Sequence, residues 1–128
     1  MLAMQILYQM EAMGQSAREA CEVFWKNFKP SDELKEFTEK LVKGVEDHRE
    51  ELDSLIERSS ENWSIRRMAR VDRNLLRIAV YELLYHPETP VKVAINEAIE
   101  LGKKFGSEDS GPFINGVLDK VITLLERK

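Results

Sequence analysis

Residues 91–126 read VKVAINEAIELGKKFGSEDSGPFINGVLDKVITLLE, and the spacing of apolar residues in this stretch decides the fold class. They return every three or four positions, the period of an amphipathic helix. Phe113, Ile114, Val117, Leu118, Val121, Leu124 and Leu125 share one face, and Asn115, Asp119, Thr123 and Glu126 share the other. In 91–105, Val91, Ala94, Ala98, Leu101 and Phe105 point inward, while Glu97, Glu100 and Lys104 point outward. Two such helices joined by the short polar loop 106–111 predict a packed antiparallel pair. Gly106 is placed as a helix C′ residue after Lys103 and Lys104, and Pro112 suits a first helical turn.

The same period extends through the rest of the chain and predicts an all-α protein. The expected helices cover roughly 1–13, 17–28, 32–59 with a break near His48, a short one near 64–69, then 73–86, 91–105 and 112–126. No segment alternates like a strand, and no repeat or low-complexity tract is visible. Ser31 before Asp32 and Glu33 is a good N-cap followed by first-turn acids. Asp72 is placed to cap the helix after it, with Val71 and Leu76 as a hydrophobic staple. Pro87 and Pro90 separate that helix from the next. In the first helix Leu2, Ile6, Met10 and Met13 form a stripe, with Tyr8 nearly opposite. An aromatic there reads either as a contact surface or as part of a helix buried all round.

Composition bounds the function. A chain of 128 residues with 43% hydrophobic and 33% charged residues fits one folded domain. We divide it into a helical half of about 1–60 and another of about 61–128. The net charge of −4 gives no bulk attraction to nucleic acid. Residues 1–60 carry 8 Lys and Arg against 13 Asp and Glu, while residues 61–128 carry 11 against 10. An anionic partner should therefore prefer the second half. Cys21 is the only cysteine, which excludes an internal disulfide and points to a reducing, cytoplasmic setting. No apolar run approaches the length of a membrane span.

Catalytic signatures are missing. The sequence has no HExxH, phosphate loop, GxSxG or paired-cysteine site, so no enzyme activity, metal or cofactor is expected. His48 and His86 are isolated, and Glu108 with Asp109 lacks calcium-loop spacing. The arginines carry the clearest signal. Arg66, Arg70, Arg73 and Arg77, spaced 4, 3 and 4, would line one stripe of a continuous helix. Guanidinium suits phosphate by its paired donors and permanent charge, and Tyr81 one turn on could add a stacking surface. The same spacing also fits surface ion pairs. The loop 106–111, with Phe105 at its edge, feeds a helix N-terminus whose free amides suit anions or unstacked bases. It fits an ordinary helix–helix turn equally well.

At these positions the chain resembles a known family. Segments 91–101, 103–110, 113–120, 71–83 and 3–8 closely resemble the NusB transcription antitermination factors, and the likeness runs along nearly the whole chain. The resemblance implies an all-α, NusB-like fold of two small helical bundles. It implies binding of the boxA RNA of ribosomal RNA leader transcripts together with NusE, a small-subunit ribosomal protein. It further implies recruitment to an RNA polymerase antitermination complex with other Nus factors. By position it assigns Tyr8 and Asp72 to partner contact. It assigns Arg73, Phe105 and Asp109, with Ser110 as a weaker carry-over, to RNA; Arg70 and Arg77 join them from the arginine stripe. Family members usually carry an arginine-rich stretch before the first helix. Here the sequence starts Met1-Leu2-Ala3, so weaker RNA binding or an upstream start is expected. Two alternatives stay open: the NusB-like module of ribosomal RNA modification enzymes, and a purely protein-binding helical module.

Overall fold

The computed structural model describes residues 1–61 and 63–126. Among them are seven α-helices and no strand: α1 (Leu2–Met13), α2 (Ala17–Asn27), α3 (Asp32–Asp47), α4 (Arg49–Ser59), α5 (Arg70–Tyr85), α6 (Val91–Phe105) and α7 (Ser110–Glu126). A 3-10 turn, Ile65–Arg67, precedes α5. No helix among the described residues is long and apolar enough to cross a membrane. The chain forms two compact units, Met1–Asp47 and His48–Lys128. The long helix expected over 32–59 is interrupted at His48, and α4 belongs to the second unit. The sequence pattern placed the division near residue 60, because the apolar period runs across the break.

In the first unit, local chemistry sets the helix ends. Gly14 ends α1 with φ 65°, and its N–H donates to the Met10 carbonyl; a left-handed residue at this position favours glycine. Ser16 and Glu19 then form a reciprocal capping box on α2, with Ser16 Oγ accepting from the Glu19 N–H at 3.1 Å and Glu19 Oε1 from the Ser16 N–H at 3.0 Å. Ser31 caps α3 as expected, its Oγ accepting from the Leu34 N–H at 3.2 Å. Trp25 Nε1 donates to Glu39 Oε2 at 2.9 Å and ties α2 to α3. Buried residues include Ile6, Leu7, Ala20, Leu41, Val42 and Val45. Met13, expected on the core stripe, is exposed, and Tyr8 is 40% exposed.

The second unit is organised around α5, which buries every residue from Asn74 to Val80. It packs against α4, α6 and α7. Leu52 and Ile56 from α4 and Ile114, Leu118 and Val121 from α7 complete the core. Val91, expected inward on α6, is exposed, leaving Ala94, Ala98 and Gly102 as its buried face. These small residues let α6 and α7 approach closely. A Cβ at Gly102 would lie 2.7 Å from Ile114 Cδ1, and one at Gly106 would lie 2.8 Å from the Gly102 carbonyl oxygen. Gly106 is extended (φ −99°, ψ −154°), not left-handed. Its role is therefore space, not backbone conformation.

Two further helix starts differ from expectation. α5 begins at Arg70 after Ala69, so Asp72 lies in the first turn and is not the cap. α7 begins at Ser110, which puts Pro112 at its third residue, still within the turn whose N–H groups need no helical partner.

α4 and α5 are also joined by a buried ion pair. Arg77 Nε donates to Asp53 Oδ1 at 2.7 Å and Arg77 Nη2 to Asp53 Oδ2 at 3.1 Å. Arg77 Nη1 donates to Asn74 Oδ1 at 3.0 Å, and Asn74 Nδ2 donates to the Arg70 carbonyl at 2.9 Å. The Arg77 side chain is only 4% exposed. Asp53→Ala strands the buried Arg77 guanidinium and should cost about 3–5 kcal/mol of unfolding free energy, whereas Arg77→Ala leaves Asp53 part-exposed beside Arg49 and should cost less. Gly106→Ala should cost about 1–3 kcal/mol, because its Cβ would meet both the Ser110 hydroxyl and the Gly102 carbonyl oxygen. Urea unfolding followed by helical circular dichroism checks both.

Candidate functional site

The segment between α4 and α5 is built by hydrogen bonds that close on themselves. The Ser60 hydroxyl donates to the Trp63 carbonyl at 2.8 Å, and the Ile65 N–H donates to Glu57 Oε2 at 2.7 Å. Arg73 Nη1 reaches back from α5 to the carbonyls of Met68 (3.1 Å), Ile65 (3.4 Å) and Arg66 (3.4 Å). Glu61 adopts φ 56°, an uncommon conformation for a non-glycine residue. Trp63, whose carbonyl is held by Ser60, is 52% exposed.

Trp63 stands edge-on to Phe113 of α7, with ring centroids 6.3 Å apart and planes at 69°. Phe113, Gly116 and Lys120 follow at helical spacing along α7, and with Ser60 and Trp63 they line an open cleft of about 380 Å³. A Cβ at Gly116 would meet nothing within 4 Å, so the missing side chain leaves the cleft open. The arrangement offers two aromatic surfaces and one ammonium. That combination suits an unstacked base with its phosphate. Sequence reading missed Trp63 because the residue lies in a polar run outside any helical period. It placed Phe113 in the core from the α7 face alone. The available signal was a lone tryptophan amid Ser59, Ser60, Glu61 and Ser64.

The arginine stripe does not form. The 3-10 turn ends at Arg67, and extended Met68 and Ala69 separate Arg66 from α5. Arg77 is corrected from an RNA contact to a structural residue: it is turned inward and neutralised by Asp53. Arg73 is half-buried, and its guanidinium donates to backbone carbonyls of the 3-10 turn and of Met68 just after it. Arg66, Arg67 and Arg70 are exposed. Asp72 is 8% exposed, and its Oδ1 is buried without a hydrogen-bond partner.

The α6–α7 loop is rigid in its bonding. Ser110 is 1% exposed, and its hydroxyl accepts from the Ser107 N–H at 3.0 Å. It shapes the loop and offers no exposed hydroxyl, which corrects its reading as an RNA contact. The Asp109 carbonyl accepts from the Phe113 N–H at 3.1 Å, and the residue is exposed. Phe105 is half-buried, with Lys104 Nζ 5.3 Å from its ring centre.

An all-helical chain that presents exposed aromatics beside cations falls in the class of helical binding proteins. Comparison makes this specific. Residues 1–123 match the model of the NusB family. A transcription antitermination protein NusB from an Anaeromyxobacter species is 57% identical over 120 residues, covering 93% of this chain and 83% of that one. The Myxococcus xanthus protein of the same name is 48% identical over 130 residues, covering 98% and 92%. T. maritima NusB matches with TM-score 0.84 at 34% identity, covering 94% of this chain and 85% of that one. A crystal structure of antitermination factors NusB and NusE in complex with dsRNA contains a chain that matches with TM-score 0.82 at 34% identity, covering 95% and 91%. The chain belongs to the NusB family of transcription antitermination proteins, which are adaptors and not enzymes.

The cleft can be closed without touching the core. Gly116→Leu should fill it and keep or raise the melting temperature, since glycine inside a helix is destabilising. Trp63→Ala should cost little stability, because the ring is half in solvent. Thermal melts of both variants check this reading.

Proposed function

We propose that this chain is an RNA-binding adaptor that takes boxA RNA together with NusE and joins RNA polymerase with other Nus factors in the cytoplasm. The observation that carries the reading is the Trp63–Phe113 cleft with Lys120 on its rim, in a chain whose 34% identical neighbour was crystallised with NusE and dsRNA. A base stacks on Trp63 or Phe113, Lys120 takes a phosphate, and Arg66 and Arg70 extend the cationic surface. Arg73 acts through the backbone it holds, fixing the segment that carries Trp63. Phe105 adds an apolar edge. Asp109 repels phosphate, so it accepts from base donors and supplies discrimination, not affinity.

Partner contact is assigned to different residues. Tyr8 has an exposed ring on the first unit. Asp72 on the second has a buried oxygen that lacks a donor. Only a small part of Asp72 reaches the surface, so Tyr8 carries more of the contact. The adaptor works by mass action: each bound partner stabilises the assembly that the other needs.

A titration of boxA RNA tests the reading. Trp63→Ala and Gly116→Leu should weaken binding by about 1–3 kcal/mol, the worth of one stacked base. Lys120→Gln or Arg70→Gln should lower the slope of log affinity against log salt by roughly 0.7–0.9 per lost phosphate contact. Unchanged affinity in all four would overturn the RNA surface. Tyr8→Ala should weaken NusE binding and leave the melting temperature nearly unchanged; a large fall in stability would show instead that the ring is core.

A further inference from the structure

The opposite end of α5 carries a second aromatic surface that the RNA reading does not use. His48, which precedes α4, stacks on Tyr85 with ring centroids 4.3 Å apart and planes at 25°. Tyr81 lies one helical turn from Tyr85, at 5.2 Å, and also meets His48 at 6.0 Å and His86 at 5.5 Å. Four rings thus form one cluster, with His48 stacked on Tyr85 and His86 edge-on to Tyr81 at 62°. It is open to solvent: Tyr85 is 40% exposed, and the His48 and His86 side chains are each 39% exposed.

Carboxylates surround the rings. The Tyr85 hydroxyl donates to Glu51, and His48 Nδ1 lies 3.7 Å from the same carboxylate. Glu88 sits 3.0 Å from His86 Nδ1 and is 69% exposed. Burial pushes the Glu82 carboxyl up, and nearby Glu97 adds to the shift. The nearest arginine on α4, Arg49, points to Asp53 at 3.8 Å. Stacked rings edged by acids have little to offer a phosphate backbone. They match a group that is flat, cationic and rich in N–H donors. Guanidinium stacks on aromatic faces and bonds carboxylates in pairs, whereas lysine ammonium is a compact, strongly hydrated point charge.

We propose that the His48–Tyr85–Tyr81–His86 cluster, with Glu51, Glu82 and Glu88 at its edge, is a docking surface for an arginine-bearing segment of a partner protein. One guanidinium stacks on Tyr85 and bonds Glu51 or Glu88. The stack on Tyr85 preorganises His48, so the rings lose little freedom when the segment arrives.

The test titrates the full chain with an oligoarginine peptide and an oligolysine peptide of equal length, followed by the ring resonances of His48, Tyr81, Tyr85 and His86. Arginine should bind several-fold tighter than lysine and shift those signals. Tyr85→Ala and Glu88→Gln should each weaken it by about fivefold or more, as expected for an exposed cation–π contact or a charge-assisted bond. Tyr85→Phe keeps the ring and should retain most of the binding. Glu36→Gln on α3 removes the same charge elsewhere and should change nothing. Equal affinity for the two peptides, equal losses in Glu36→Gln and Glu88→Gln, or shifts confined to other residues would each reduce the effect to bulk attraction and overturn the proposal. A shift of these four rings by boxA RNA of the size seen with oligoarginine would overturn it as well, by giving the surface to nucleic acid.

Discussion

The buried pair between Arg77 and Asp53 is the constraint on which the second unit depends. A guanidinium in a helical core is tolerable only when its charge is matched and its donors are used. Asp53 takes two of those donors and Asn74 a third. Asn74 in turn holds the Arg70 carbonyl in the first turn of α5. From that turn Arg73 reaches back to three carbonyls of the 3-10 segment. The chain of bonds runs from α4 through the middle of α5 to the loop that presents Trp63. The first turn of α5 thus carries both the end of the buried network and the arginine that braces the segment before it.

Much of this fold was legible in the sequence. Ile114, Val117, Leu118 and Val121 are buried as their spacing implies. Ser31 caps α3, and the break near His48 is present. These features are local: a period of 3.6 or a single hydroxyl beside an amide decides them. The misreadings share a different cause. Arg77 was assigned to a surface because arginine on a helix usually faces water; its carboxylate partner lies on another helix, 24 residues away. Asp72 was assigned as a cap because helix starts depend on backbone angles set by the 3-10 turn before it. Gly106 does follow the end of α6 as its spacing implies, but its backbone is extended, and the close approach of Ser110 and of its own helix backbone explains it.

The candidate site was legible only in part. Tyr8 was correctly placed opposite the apolar stripe, and exposed Asp109 and half-buried Phe105 keep their assignments as proposals. Ser110 was read from its residue type as a contact, but its hydroxyl is consumed by the loop. Trp63 was missed because no helical period includes it. Its exposure follows from bonds made by Ser60, Glu57 and Arg73, none of which a pattern reveals. Residues that bind at a surface and residues that build the surface look alike in sequence. Burial and hydrogen-bond partners separate them.

The most direct test is a double-mutant cycle of Asp53→Ala and Arg77→Ala, read as unfolding free energy in urea. A shared buried ion pair makes the two losses strongly non-additive, with a coupling above about 1 kcal/mol and a double variant more stable than the summed losses imply. Additive losses would contradict it. They would mean that Arg77 is not held by Asp53, and the route from the core of α5 to Trp63 would lose its first link.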